Sequence, residues 1–388
     1  MNIVILGAGI VGLTMANILA KNPNLKIHVV DVNKPLLQWN NCDYDLRCSA
    51  IVASSQEIFA AIGIWQDILN DRVGCYDQML VWDHDPAIKV QFSAAEIGAA
   101  NLGYIIENRV ILRALHNKLL QSSNVEFIYG IAERVEFDAE RVHLRVAGKS
   151  IDCKLVIGAD GANSLLRQQA NIEVVGWDYN HASLVATIKS QLPHNNIARQ
   201  RFRSDGPLAF LPLDVDNLSS IVWSSSPEKI ANLMQLEPKQ FCQQLAEQFS
   251  FSLGELELQG ERKSFTLRML HAEKYVAARL ALIGDAIHVI HPLAGQGLNL
   301  GIKDAAVLAD ILQQAYLAGY DLGKLSILRK YERNRKGHNI SMIALMETIK
   351  RVFAIKSPIL TKMRFGGMHC VNSISLIKNT MMKFAIGV

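Results

Sequence analysis

Apolar residues along this chain fall into three textures, and each predicts a different kind of element. The opening MNIVILGAGIVGLTMANILAKNPNLKIHVVD sets an apolar run, Ile3 to Leu6, before a glycine turn. An unbroken run with β-branched members predicts a strand buried on both faces, as parallel strands are. Leu13 to Ala20 then carry helical spacing without proline, and Lys26 to Asp31 return as a second strand. The same texture predicts a helix over 105–120, with Ile111, Leu112, Leu115 and Leu119 on one face. It also predicts strands at 125–129 and 141–146, and a further buried strand in KLVIGADG (154–161).

Between about 176 and 272 the pattern changes. HASLVATIKSQL, IARQRFRSDGPLAFLPL and LSSIVWSS alternate apolar and polar residues around Gly-Pro and Asp-Asn turns. Such alternation predicts an antiparallel sheet, and residues 76–97 share it. A helical interlude spaces Phe241, Leu245 and Phe249 four apart. At 280 the buried-strand texture returns in ALIGDAIHVIHPLAGQGLNLGIKDAAVLADIL, which reads strand, Gly284-Asp285 turn, uncharged loop, helix. From 324 onward the pattern is amphipathic and helical, through Met342, Leu345, Met346, Ile349, Val352 and Phe353. The prediction is an α/β fold with a discontinuous Rossmann-like domain (1–75, 98–175 and 276–323). An antiparallel β-sheet domain (76–97 and 176–275) and a helical basic C-terminal segment (324–388) complete it.

Composition narrows this picture. With 388 residues, half of them hydrophobic, the chain can pack two domains. No stretch reaches the roughly 18 uninterrupted apolar residues of a membrane-spanning helix. The N-terminus enters a strand directly, without the basic start of a signal peptide. Six cysteines without paired spacing point to a reducing, cytoplasmic compartment. The net charge of +4 hides an asymmetry, with +11 from Lys324 to Val388 and −7 before it. A basic tail suits an anionic surface, and its plainer reading is a solvated basic face. Nucleic acid fits poorly, because aromatics are not interleaved with the charges.

The chemistry concentrates at three glycine-aspartate turns. Gly7-Ala8-Gly9-Ile10-Val11-Gly12 fits G-x-G-x-x-G between strand and helix, with Asp31 nineteen residues beyond Gly12. The first glycine makes the turn, the second admits a pyrophosphate, and the third lets helix and strand pack closely. Helix amides then face the phosphates and Asp31 can accept from ribose hydroxyls. This fingerprint serves FAD and NAD alike. GADGANSLLR (158–167) and GDAIHVIHPLAGQGLNLGIKD (284–304) add the other two turns.

Together these motifs resemble the aromatic-ring flavin hydroxylases with the para-hydroxybenzoate hydroxylase fold, in the ubiquinone-biosynthesis branch (the UbiH, UbiF and VisC/UbiI types). YDLRCSAI, GIWQDIL, GYIIENRVI, LVIGADGANS, GPLAFLPL, SIVWSSSPE and HPLAGQGLNLG all read as that branch, so the likeness spans nearly the whole chain. WDYNHASLVATI and CYDQMLVWD lean towards the VisC/UbiI type, a 2-polyprenylphenol hydroxylase.

The resemblance implies roles residue by residue. Gly7, Gly9, Gly12 and Asp31 hold the ADP half of FAD, and Arg47 sits near its phosphates and the flavin edge. Asn108 takes the place from which the family reaches the ribityl-phosphate region, and Asp160 and Gly161 serve FAD and pyridine nucleotide. Asp285 binds the ribityl chain. The loop from Pro292 through Gly295, Gly297 and Leu298 to Asn299 cradles the isoalloxazine ring. Helix amides near Gly297 to Asn299 would meet the negative charge that a reduced flavin gathers. Phe202, Phe210 and Trp223 become candidates for lining the substrate, against the plainer reading of strand aromatics as core. Flavin and oxygen carry the chemistry, so no side chain is singled out as catalytic. His288 and His291 have HxxH spacing but lack further metal ligands, so they and Asp304 read as loop and helix hydrogen bonding.

The implied reaction is hydroxylation of a polyprenylated phenol. NAD(P)H or another donor reduces FAD, and O2 adds to give a C4a-hydroperoxide that the ring attacks. Peripheral contact with the inner face of the membrane and with other ubiquinone-pathway proteins would follow from so apolar a substrate. The alternatives are another FAD oxidoreductase on an aromatic or prenyl substrate, or a flavin-bearing organising subunit of a membrane-associated complex. Two departures from the family pattern, Ile287 for alanine and Thr266 for proline, bear on pocket shape.

Overall fold

Ile3, Val4 and Ile5 are fully buried in the first strand, β1 (Asn2–Leu6), and their burial explains the run. The computed structural model describes residues 1–40, 43–83, 89–290, 296–354, 366 and 371–386. Strand β1 is central to a six-stranded sheet. Its order is β18 (Val276–Ala277), β19 (Leu280–Leu282), β12 (Leu155–Gly158), β1, β2 (Lys26–Asp31), β8 (Val125–Tyr129). All pairs are parallel except β18 with β19. Because β12 and β19 lie side by side, distant stretches of chain close into one α/β domain, with helices α1 (Ile10–Ala20) and α8 (Gln296–Leu317) packed together.

Two three-stranded sheets flank it. One is β3 (Cys48–Ile51), β7 (Gly103–Glu107), β4 (Val73–Tyr76); the other is β11 (Lys149–Cys153), β10 (Val142–Val146), β9 (Ala132–Phe137). The helix expected over 105–120 begins only at Asn108, as α4 (Asn108–Leu120). Ile105 and Ile106 belong to β7, because a β-branched pair with strands on both sides is worth more as a ladder than as a helical turn. Short helices α2 (Ala53–Ile62), α3 (Trp65–Leu69) and α5 (Leu165–Gln169) complete this side.

The alternating segments build an eight-stranded sheet. Its order is β20 (His288–Val289), β17 (Leu256–Ala272), β13 (Val174–Ser190), β16 (Leu218–Ser225), β15 (Leu208–Pro212), β14 (Ile197–Arg201), β5 (Gln78–Trp82), β6 (Lys89–Ser93). Residues 76–97 therefore join it, and every pair but β14 with β5 is antiparallel. Helices α6 (Pro227–Gln235) and α7 (Pro238–Gln248) cover one face, where Leu184, Ile188, Phe210, Ile221 and Trp223 meet Phe241 and Leu245.

The segment from 324 is helical and packs onto the cofactor domain. Helix α9 (Leu325–Ala354) buries Ile327, Leu328 and Tyr331 in the same core as β1, and the Tyr331 hydroxyl donates to Leu282 O at 2.9 Å. Its second half places Met342 and Ile343 against Met269, Ile290 and Leu300, while Leu345 and Val352 of the expected apolar face are exposed. The last described helix, Ser375–Ile386, is tied down by Lys378, whose ammonium meets Glu96 at 2.7 Å. Among the described residues no helix is long and apolar enough to cross a membrane.

Candidate active site

The glycine fingerprint lies where β1 ends and α1 starts, and its three glycines meet three different surroundings. A Cβ on Gly7, whose φ is +109°, would come 2.2 Å from Ala159 O. One on Gly12 would come 2.0 Å from Gly7 O. Around Gly9 nothing lies within 4 Å, and Gly9 is exposed. Two glycines thus let backbone pack on backbone, while the middle one leaves an open approach to the α1 amides. Gly9 is the N-cap of α1 and no side chain caps those amides. Bare helix amides beside an open glycine suit a phosphate. Asp31 holds this loop shut, its two carboxylate oxygens accepting from Ala8 N at 2.7 Å and Asn33 N at 3.0 Å.

The second turn follows β12 alongside. Asp160 Oδ2 accepts from Leu166 N at 3.2 Å, while Oδ1 is buried without a partner among the described residues. Burial pushes the Asp160 carboxyl up, against the Ser164 hydroxyl and nearby amides. Gly161 takes the left-handed region with φ +78°. Arg167, six per cent exposed, donates to Ala286 O at 2.9 Å and to Ala162 O at 2.8 Å, and so ties the second turn to the third.

The third turn, Gly284 to Ala286, presses on α1. A Cβ on Gly301 of α8 would come 2.7 Å from Val11 Cγ2, and one on Gly284 would sit 3.2 Å from Val11 Cγ1. Helix α8 is therefore stacked directly on the fingerprint at Gly301. Asp285 reaches the surface here yet is crowded by protein, and that crowding raises its carboxyl. His288, Arg47 and Arg268 pull it down. Arg47 is thus within electrostatic reach of Asp285, though 238 residues away in sequence. Its segment is fixed by Arg47 N donating to Asp45 Oδ1 at 3.0 Å and Asn108 N donating to Arg47 O at 2.8 Å. Asn108 Oδ1 accepts from the Ser49 hydroxyl at 2.7 Å. The structure therefore gathers Gly7, Gly9, Gly12, Asp31, Asp160, Gly161 and Asp285 along one edge, with Arg47 just before β3 of the adjoining small sheet and Asn108 just after its β7, at the start of α4.

Helix α8 begins at Gln296, so Gly297, Leu298 and Asn299 form its first turn. The Asn299 side chain is committed inward, donating to Ala50 O at 2.8 Å and accepting from Val52 N at 3.3 Å. Its contribution to a ligand is thus its backbone and the α2 segment it pins. Pro292, Gly295 and His291 lie outside the described residues. His288 and Asp304 are buried in contact at 2.6 Å.

The aromatic candidates need correction. Phe210 and Trp223 are one per cent exposed and point into the core under α6 and α7; Phe210 packs on Phe249 and Trp223 on Phe241. Strand alternation sends their neighbours the other way. Leu211, Met79 and Ala198 pack with Ala50, Tyr76 and Ile105 of the cofactor side, and the Ser220 hydroxyl meets the Cys48 thiol. The face turned towards the cofactor domain is therefore carried by small and aliphatic residues, one position out of step with the aromatics. Phe202 instead stacks on Phe353 of α9 at 4.2 Å.

Sequence reading also missed the arginines that assemble the edge. Arg72 and Arg109 enclose the one-per-cent-exposed Glu107 at 3.1 and 2.7 Å, and Arg268 donates to Asn163 at 2.7 Å across the two domains. An arginine in a stretch that otherwise reads as buried, like Arg167 in SLLR, was the available signal.

Comparison with known proteins agrees with this geometry. The family described as FAD binding domain matches residues 1–344. The chain is 35% identical to the mitochondrial ubiquinone biosynthesis monooxygenase COQ6 of Xenopus tropicalis, over 99% of this chain and 93% of that one. It is 34% identical to the 3-demethoxyubiquinol 3-hydroxylase of Escherichia coli, over 99% and 98%. Its fold matches the crystal structure of p-nitrophenol 4-monooxygenase PnpA from Pseudomonas putida with a TM-score of 0.80 at 17% identity, over 98% and 96%. With a family match from Met1 into α9 and relatives a third identical from end to end, the chain belongs to the FAD binding domain family, alongside the ubiquinone biosynthesis monooxygenases.

Proposed function

We propose that this chain is an FAD-dependent monooxygenase that hydroxylates the ring of a prenylated phenol in ubiquinone biosynthesis, with O2 as co-substrate and NAD(P)H or another donor of electrons. The observation that supports this most is likeness through both the cofactor domain and the eight-stranded sheet to enzymes named for such steps. Bound FAD supplies the oxygen-activating chemistry. The protein's share is placement. The open backbone at Gly9 and the α1 amides hold the phosphates, Asp285 and the start of α8 hold the flavin end, and the Leu211–Ser220 face of the sheet walls the ring from water.

The preferred substrate is the 2-polyprenylphenol type, since WDYNHASLVATI and CYDQMLVWD lean that way. The Escherichia coli relative, by its name, acts on a demethoxyubiquinol. Lipid mass spectrometry of cells lacking the protein separates the two. A polyprenylphenol precursor should accumulate; a methoxylated or methylated intermediate moves the enzyme to a later step. An unchanged quinone profile together with no ¹⁸O transfer from ¹⁸O2 to a prenylated phenol in vitro removes the reading.

The reading extends to where the enzyme works. Each buried CH2 is worth about 0.8 kcal/mol, so a polyprenyl tail stays in lipid or in a protein groove. The basic C-terminal region would meet the anionic inner face of the cytoplasmic membrane, near other proteins of the pathway. Lys378 is buried against Glu96, so the charge available for this lies elsewhere, as at the exposed Lys383 and at Arg351, whose exposed guanidinium pairs with Glu347 one turn back on its own helix. Charge-neutral variants at those two positions should bind phosphatidylglycerol vesicles more weakly; unchanged binding would remove the membrane claim.

A further inference from the structure

One buried carboxylate grips both ends of the turn that carries Asp285. Asp304, on α8, is fully buried. Its Oδ2 lies 2.6 Å from His288 Nε2 and accepts from Gly284 N at 3.4 Å. Its Oδ1 accepts from Arg335 Nε at 2.8 Å and from Asn339 Nδ2 at 3.2 Å. Arg335 and Asn339 both come from α9, and both are buried. Arg335 also donates to Asn339 Oδ1 at 2.8 Å and to Leu300 O, one turn into α8, at 3.5 Å.

Burial alone would drive the Asp304 carboxyl up; His288 and Arg335 overcome it and hold the group below the usual carboxylate range. A buried charge is tolerable only when it is paired and hydrogen-bonded. Arg335 supplies the cation on one side of that pairing. Asp304 in turn spans the Gly284–His288 turn and the helix that packs at Gly301 against Val11. Moving or neutralising Arg335 therefore releases the carboxylate that sets the spacing between the Asp285 turn and the start of α8.

We propose that Arg335 of α9 is a positioning residue for the flavin site, acting through Asp304 on a cofactor it does not touch. This rests on the reading that the Asp285 turn and the start of α8 hold FAD. The test is titration of FAD into the full-length apoprotein, followed by flavin fluorescence and visible spectrum, at a temperature where circular dichroism shows each variant folded. Arg335→Met should weaken FAD binding tenfold or more and shift the bound-flavin spectrum. Arg335→Lys, which keeps the charge but not the paired donors, should recover part of the affinity. Asp304→Asn should weaken binding as well, and the double variant should be no weaker than the worse single, because the two act as one unit.

A lower melting temperature with unchanged FAD affinity and spectrum in Arg335→Met would make the residue a strut only and overturn the proposal. If Arg335→Met fails to fold, Asn339→Ala replaces it, with at least threefold weaker binding expected and unchanged binding overturning the proposal. Asp285→Ala separates the two layers. Full affinity in Asp285→Ala sinks the reading of the turn, whereas its loss beside an unaffected Arg335→Met sinks the Arg335 proposal alone.

Discussion

The glycine edge and the eight-stranded sheet are built from opposite materials. At the edge, backbone packs on backbone, with Gly7 against Ala159, Gly12 against Gly7 and Gly301 against Gly284. In the sheet, side chains alternate between a helix-covered face and a face turned to the cofactor domain. At Gly7 and Gly12 a single methyl group has no room. The sheet absorbs volume changes through side chains that can repack, at a cost set by how well they do so. The edge is therefore a place where one atom decides binding, and the sheet is a place where many atoms share stability.

The largest effects should come from the edge. Gly12→Ala puts a methyl 2.0 Å from a carbonyl oxygen and should abolish both FAD binding and soluble folded protein. Gly9→Ala has open space around it, so it should fold with an unchanged melting temperature yet lose FAD affinity at least tenfold. Equal behaviour of the two variants by thermal melt and FAD titration would erase the distinction drawn here. Next in size, Trp223→Ala or Phe210→Ala should cost about 3–5 kcal/mol in urea unfolding. Phe210→Leu should stay folded with an unchanged substrate KM. A raised KM there would return Phe210 to the pocket.

On the opposite face the outcomes should reverse. Leu211→Trp should depress kcat/KM, read by steady-state oxygen consumption, at a stability cost of about 1–3 kcal/mol. The last effect is read through pH. His271 is held at about 4, by burial first and then by His288 and Lys336. Its neutral form belongs to the fold, so the unfolded chain takes up the proton first, near 6.5. The stability this residue contributes is fully present above that pH and is lost as pH falls towards 4. The loss amounts to about 3 kcal/mol at most. Urea titrations at pH 8 and pH 5 check it, and His271→Gln should flatten the difference.

Legibility in the sequence followed the same divide. The fingerprint could be read from glycine spacing because those residues answer to backbone clearance within a few positions of chain. Asp31 followed, since strand length sets its distance. The sheet is legible from alternation, but which parity faces the cofactor is not, and for Phe210 and Trp223 it is the plainer core reading, not the substrate wall, that holds. Aromatic size suggested a ligand wall, whereas the register Leu208 with Trp223 and Phe210 with Ile221 turns them beneath α6 and α7. Ile105 and Ile106 were taken for helix because their strand partners, Ala50 and Gly74 among them, are remote in sequence.

What the amino-acid order determined by itself was local: strand, turn and helix at each glycine motif, and two alternation textures that separate two domains. It also carried the family, because those motifs are contiguous stretches of chain. Tertiary structure alone decided the rest: Arg167 joining the second turn to the third, Arg268 reaching Asn163, and α9 completing the cofactor domain through Tyr331 and Arg335. Each of those is a charge or hydroxyl satisfied by a partner that only chain closure brings near. Burial demands a partner for such groups, but spacing along the chain does not say which one.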